Sequence, residues 1–144
     1  MTKLDLVGLI TIEQFKNYFP YIYETYVNNI EQLKLCIISS SYLIEKYTKR
    51  LYQSRPIIYQ TTINNNDIQL PFGPIEQLLE LKINNKVYTH IPIYLENGWN
   101  IYIKYIPIID SISSVIELAI ILLTCDLLKG SNIYHNRIME LINE

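Results

Sequence analysis

Glycine and alanine are scarce in this chain of 144 residues, which contains four glycines and a single alanine, Ala119. So few glycines leave little material for a phosphate-binding loop, a dinucleotide fingerprint or a G-x-S-x-G nucleophile elbow, and none of these motifs occurs. Tyrosine, isoleucine, asparagine and lysine are abundant instead, and their codons are rich in A and T. We therefore attribute most of the composition to a genome of low G+C content.

Charge is also sparse, because 18% of the residues are charged whereas 49% are hydrophobic. That balance excludes a mainly disordered chain, since disorder requires few apolar residues and much charge. The net charge of −2, from 12 basic and 14 acidic residues, excludes the basic surface that drives non-specific DNA binding. The length is typical of one domain with its own core.

Neither a signal peptide nor a membrane span is predicted. The first ten residues include charges and lack an apolar core. The most apolar stretch, between Glu117 and Asp126, is far shorter than the roughly 18 residues of a span. Cys36 and Cys125 fall in apolar helical contexts, so we expect two reduced core cysteines, with a disulfide as the less favoured alternative.

A capping box opens the first predicted helix, which covers residues 11–19. Thr11 and Gln14 have the spacing in which each side chain bonds to the backbone N–H of the other residue. Pro20 is expected to end this helix, because proline lacks the N–H that a helix interior requires.

A longer second helix is predicted over residues 28–51, with Asn28 or Asn29 as its cap. Ser40 and Ser41 interrupt its main apolar stripe, which indicates the close approach of a neighbouring backbone. A second stripe lies on the flank of this helix and consists of Leu35, Ile38 and Tyr42. It fits either a wide core face or a contact between subunits.

The third predicted helix covers residues 111–129, with Asp110 or Ser111 as its cap and Gly130 as its stop. Ser114 and Glu117 have the spacing of a second possible capping box. It is apolar almost all round, so it lies either at the centre of the domain or partly against another subunit. Ala119 suggests a close helix crossing.

The middle of the chain, residues 57–105, is predicted to be β. Residues 75–83 fit a helix or a strand, and a strand is favoured because the asparagines at 84 and 85 make a tight turn into a strand over 87–95. The clearest strand alternates and places these residues on one face: Trp99, Ile101, Ile103 and Tyr105. The predicted fold class is α+β, a helical domain with a small antiparallel sheet or meander inserted in its middle.

Residues 1–130 are therefore interpreted as one domain, and residues 131–144 as a polar tail with spaced apolar residues that a partner orders. His90, in a predicted strand, and His135, in the tail, are the only histidines, and no cluster has metal-ligand spacing. Glu76 and Glu80 come nearest to a carboxylate pair but fit a solvated strand edge better. We expect no catalytic residue, no metal, no cofactor and no enzymatic activity.

A single-stranded nucleic-acid-binding module is an alternative from a different class of function. Aromatic residues on the β segments resemble the stacking platform of a single-stranded nucleic-acid-binding module. Such a platform needs a basic groove, and the region offers only Lys82, Lys86 and Lys104. Packing within the sheet explains the aromatics better.

Three stretches resemble the head–tail connector (adaptor) proteins of tailed bacteriophages. Residues 9–18, LITIEQFKNY, are similar to the opening "L-I-T-L-E-E-F-K" helix of that family, and residues 70–75, LPFGPI, to its "L-P-x-x-P-I" entry into the central strands. Residues 134–137, YHNR, resemble its "Y-x-N-R" after a long apolar helix. The chain departs from the family at residues 39–41, which are serines in place of alanines, and at Asn85, in place of a turn glycine.

The resemblance implies a structural virion protein of the head–tail junction, assembled in the cytoplasm of the host bacterium. Such proteins form a homo-oligomeric ring, commonly of twelve copies, that docks on the portal protein and contacts a downstream neck or tail protein. DNA passes through the channel without specific binding, and neither a cofactor nor a membrane is involved. The alternatives are another phage neck or tail-completion ring protein and, less favoured, the nucleic-acid-binding module.

Unexplained apolar surface marks the candidate contact residues. The candidates for contact with the portal are Tyr134, Arg137, Ile138 and Leu141. The candidates for contact within the ring are Leu35, Ile38 and Tyr42.

Overall fold

Helices lie at both ends of the chain and strands lie in its middle. The computed structural model describes residues 8–143, and this part contains nine elements. They are α1 (Ile12–Tyr18), α2 (Pro20–Tyr26), α3 (Ile30–Thr48), β1 (Ile57–Thr62), β2 (Ile75–Ile83), β3 (Lys86–Tyr88), β4 (Asn100–Pro107), α4 (Ser114–Lys129) and α5 (His135–Ile142). The predicted α+β class is confirmed. The start of the predicted domain, residues 1–7, lies outside the described residues.

The chain divides into two units. The helical unit comprises the described residues up to Thr48 and those from Ser111 onward, and the sheet unit is Lys49–Asp110. None of the helices in residues 8–143 has the length and apolar character needed to cross a membrane.

The start of the helical unit follows the predicted capping box. Thr11 Oγ1 accepts from Gln14 N–H at 3.1 Å, and Gln14 Oε1 accepts from Thr11 N–H at 2.7 Å. Pro20 does end α1, but it also opens α2, which was not predicted. Proline suits the first position of a helix because its missing N–H would have no helical partner there.

Helix α3 packs against α4 in the core of the helical unit. Its buried apolar side chains, Leu33, Ile37 and Ile44, recur at helical spacing. The predicted range of 28–51 was too long, because Lys49 adopts a left-handed conformation with φ 56° directly after Thr48.

The ends of α4 were predicted with mixed success. Its cap is Ser113, whose hydroxyl accepts from Ile116 N–H at 3.2 Å. The predicted caps Asp110, Ser111 and Ser114 were therefore wrong, and Ser114 is the first residue of the helix. The predicted stop is confirmed, because Gly130 adopts the left-handed φ of 63° that glycine tolerates best.

Ser40 and Ser41 of α3 lie on a buried polar seam, in keeping with their position in the apolar stripe. Ser41 Oγ accepts from the backbone N–H of Leu9 at 2.9 Å, which is the predicted approach of a neighbouring backbone. Ser40 Oγ accepts from Thr124 Oγ1 of α4 at 3.0 Å and donates to the carbonyl of Cys36 at 2.7 Å. All the polar atoms of this seam therefore have hydrogen-bonding partners within the fold.

The sheet unit is a four-stranded antiparallel sheet in the order β1-β4-β2-β3. β4, the last strand in sequence, lies between β1 and β2, so the expected alternative of a simple meander was wrong. The predicted alternation of β4 is confirmed, since Ile101, Ile103 and Tyr105 are buried whereas Asn100 is exposed. The Tyr105 hydroxyl donates to the Phe72 carbonyl at 2.5 Å.

The strand predicted over residues 87–95 is short. β3 ends at Tyr88, and the following segment is irregular, in keeping with Pro92, which cannot donate to a strand ladder. His90 is consequently exposed outside any strand, which corrects its predicted place.

The sheet unit begins and ends at neighbouring points. Leu51 and Ile109 form a parallel bridge, and Asp110 N–H donates to the Leu51 carbonyl at 2.8 Å. Arg50 lies 3.4 Å from the Asp110 carboxylate in an exposed ion pair.

Candidate functional site

The flank of α3 carries the predicted ring-contact residues. Leu35 is 63% exposed, and Ile38 and Tyr42 are half-buried. Residues spaced by three and four lie on one side of a helix, so the three side chains form a continuous stripe. We call Leu35, Ile38 and Tyr42 the α3 stripe. Its most accessible member is a leucine, which gains most from being covered.

The predicted portal-contact residues occupy α5 and its start, and the structure separates them into two groups. Ile138 and Leu141 are buried at 2% and 5% exposure, and α5 packs against α4. They therefore hold α5 in the helical unit and offer no free surface in this conformation. Arg137 is exposed and lies 3.2 Å from Glu140, while Tyr134 is half-buried.

Asp126 fixes the connection between α4 and α5. Its buried carboxylate accepts from the Ser131 hydroxyl at 2.9 Å and from Tyr134 N–H at 3.0 Å. The Tyr134 ring also lies 6.0 Å from that of Phe19. Residues 131–144 were expected to be ordered by another protein, yet residues 135–142 already form a helix with these contacts inside the chain.

Exposed aromatic and apolar side chains on α1 and α2 were missed by sequence reasoning. Tyr21 of α2 is 85% exposed, and Tyr18 of α1 and Val27, which directly follows α2, are also exposed. The signal that would have located α2 is Pro20 itself, had it been interpreted as the first residue of a helix. These side chains add apolar surface to the helical unit beyond the α3 stripe.

An open groove of about 410 Å³ crosses the outer face of the sheet. Its lining includes Gln60, Thr62, Asn100 and Tyr102, together with Lys82. The Lys82 ammonium lies 3.3 Å from Glu80 and 5.5 Å from the centre of the Tyr102 ring, so its charge is already engaged. This arrangement offers little to a phosphate backbone.

The aromatics considered for base stacking do not share one exposed face. Tyr59, Trp99 and Tyr105 pack into the core of the sheet unit. Tyr88 and Tyr94 are exposed, but they lie at or after the short strand β3. The nucleic-acid-binding alternative gains no supporting geometry and stays a prediction.

The titratable and sulfur-containing side chains form no reactive cluster in residues 8–143. No group of three His, Cys, Asp or Glu side chains in this range has the geometry to hold a metal ion. Both cysteines are unbonded, and burial raises the pKa of the Cys36 thiol and of the Cys125 thiol. A raised pKa lowers the thiolate fraction and with it the reactivity of each thiol.

No model of a protein family, no curated protein and no solved structure matches this chain. The resemblance to head–tail connectors therefore rests on three sequence stretches, residues 9–18, 70–75 and 134–137.

Proposed function

We propose that this chain is a structural virion protein of a tailed bacteriophage that forms an oligomeric ring at the head–tail junction. The ring docks on the portal and links the DNA-filled head to the tail around the DNA channel. The observation that carries this proposal is the α3 stripe, with Leu35 exposed to solvent on a helix whose other side is fully packed. The three stretches that resemble connector proteins occur in the same order as in that family, and they are the reason for proposing the head–tail junction as the site of the ring.

Ring formation gives the α3 stripe a physical role. In a closed ring, each subunit joins one surface to a different surface of the next copy. The α3 stripe joins the exposed Leu35 to the half-buried Ile38 and Tyr42, and apolar and aromatic side chains are typical of the centre of such contacts. The exposed Tyr21 of α2 and Val27, which directly follows α2, supply further apolar surface for the neighbouring copy.

Portal docking is assigned to the exposed side of α5. Arg137 and the accessible part of Tyr134 are the candidates for direct contact, since arginine and tyrosine are enriched at interfaces. Ile138 and Leu141 contribute indirectly, because their burial determines how α5 is presented.

The net charge of the chain is compatible with a channel through which DNA passes without being bound. A protein that binds DNA non-specifically neutralises many phosphates with Lys and Arg. With a net charge of −2, this chain has no surplus of cations for that purpose.

A Leu35→Glu variant tests the ring. We expect it to assemble at least about tenfold less well on the portal protein from the same genome, because a buried unpaired carboxylate at the contact is unfavourable. Mass photometry of mixtures with and without the portal measures the number of bound copies. The matched control is Leu79→Glu, which changes another exposed leucine, in β2, and should assemble normally. Normal assembly of Leu35→Glu would contradict the proposal.

A further inference from the structure

The free edge of β1 lacks the features that usually prevent a sheet edge from pairing. β1 lies at one end of the sheet, and among residues 8–143 only β4 pairs with it. Its sequence, IIYQTT, contains no charge, no proline and no glycine, and its register with β4 is regular throughout. Proteins commonly protect such edges with lysine, proline, bulges or very short strands.

The opposite side of the same sheet shows these protections. β3 has three residues and begins with Lys86. β3 pairs only with residues 81–83 of β2, so the earlier part of β2 forms the rest of this edge. That part has register shifts at 75/77 and at 78/80 in its pairing with β4. One edge of this sheet is therefore protected against pairing with another strand, whereas the β1 edge is not.

The backbone hydrogen bonds show which β1 residues face outward. Ile63 N–H donates to the Trp99 carbonyl at 2.9 Å, so Ile63 bonds toward β4. Because hydrogen bonding alternates along an antiparallel strand, every second residue before Ile63 also bonds toward β4. The outward-facing backbone groups therefore belong to Ile58, Gln60 and Thr62. The side chains of these three residues are exposed as well.

We propose that β1 pairs in antiparallel fashion with β1 of a second copy of this chain, around a two-fold axis at Gln60. In this register Ile58 lies opposite Thr62 of the second copy, and Gln60 lies opposite its own equivalent. Each of these three outward-facing residues exchanges two backbone hydrogen bonds with its opposite. Two four-stranded sheets thereby become one continuous sheet.

The neighbouring registers are less favourable. A shift toward the amino end of β1 places Pro56, which has no N–H, opposite Thr62. A shift toward the carboxyl end uses Asn64, which already bridges to Asp67 in a turn. The register centred on Gln60 is thus the one in which all three outward-facing residues of β1 are bonded.

The absence of charge favours a second copy over a strand of another protein. Two-fold pairing places each side chain close to its own equivalent or to a near neighbour, so any charge near the axis would meet a like charge. The IIYQTT strand avoids this repulsion completely. A two-fold contact also closes after two copies, whereas a ring contact joins two different surfaces. The inference thus concerns the free protein and does not depend on the proposed ring.

A charge-swap experiment tests the pairing. Gln60→Lys and Gln60→Glu each place like charges opposite one another, so each variant alone should dimerise at least about tenfold more weakly than the wild-type chain. An equimolar mixture of the two should regain dimers, because opposite charges then meet. Sedimentation equilibrium over a range of concentrations gives the dissociation constants. Gln77→Lys, the same change at an exposed position of β2, is the control and should dimerise normally.

Amide hydrogen exchange of the wild-type chain gives a second measurement that needs no variant. The amides of Ile58, Gln60 and Thr62 should become protected as the concentration rises, whereas those of Tyr59 and Thr61 should be protected at every concentration. A wild-type chain that stays monomeric, a Gln60→Lys dimer of normal strength, or a folded mixture that fails to dimerise would overturn the proposal. Loss of portal binding would leave it unaffected.

Discussion

The two units bury different kinds of side chains. The buried polar and charged residues of the described chain all lie in the helical unit, on α3 and α4. They are Ser40, Ser41, Glu45, Thr124 and Asp126. The buried cluster of the sheet unit is apolar apart from the hydroxyl of Tyr105. Hydrogen bonds impose direction whereas apolar burial does not, so the helical unit adds directional contacts to its apolar core, while the sheet unit depends mainly on volume.

The largest effect is expected from a cavity in the sheet unit. Ile103 is fully buried in β4, and Ile103→Ala should lower the free energy of unfolding by about 3 kcal/mol through lost burial and an unfilled space. Urea denaturation provides the measurement. Ile93→Ala, at a fully exposed position of the same unit, should change stability by less than about 0.5 kcal/mol. Equal losses of stability in the two variants would refute the view that the sheet unit depends on the filled volume of its core.

An intermediate effect is expected from the buried carboxylate of the helical unit. Asp126→Ala removes the acceptor for the Ser131 hydroxyl and for Tyr134 N–H, so it should lower the free energy of unfolding by about 2 kcal/mol. Asp110→Ala is the matched control, because its exposed ion pair with Arg50 should contribute no more than about 1 kcal/mol. Urea denaturation of both variants measures the difference, and a larger loss for Asp110→Ala would contradict the assignment.

The smallest effect concerns the polar seam between α3 and α4. A double-mutant cycle combines Ser40→Ala with Thr124→Val. The double variant should lose about 1 kcal/mol less free energy of unfolding than the sum of the two single losses, because either change alone breaks their shared hydrogen bond. Thermal and urea unfolding of the four proteins give the coupling energy. Ser40→Ala combined with Thr62→Val, which lies in the other unit, should be additive. A coupling of zero for Ser40 and Thr124 would show that the seam is only a packing contact.

Features that depend on adjacent residues could be predicted from the sequence. The capping box of Thr11 and Gln14, the stop at Gly130 and the alternation of β4 each require only residues a few positions apart. Their physical causes act within one turn of helix or along one strand. The predicted strand over Ile75–Ile83 was found for the same reason.

Features that depend on distant segments could not be predicted in this way. The place of β4 between β1 and β2 arises from pairing across the whole sheet, which no local pattern encodes. The apolar residues of the tail were recognised, but the surface that covers Ile138 and Leu141 is provided by the rest of the helical unit. Half of the candidate portal residues therefore proved to be buried.

The neighbouring ends of the sheet unit have a consequence for how the chain reaches this fold. Ser40 and Thr124 meet although 84 positions separate them in sequence, and the entropy lost in closing a loop grows with its length. Once Leu51 and Ile109 are joined, the strands between them no longer add to the flexible loop that must close between Ser40 and Thr124. Folding of the sheet thus lowers the loop-closure entropy that is lost when α3 and α4 pack together. In a chain whose strands are unpaired, the same contact requires closing the full-length loop.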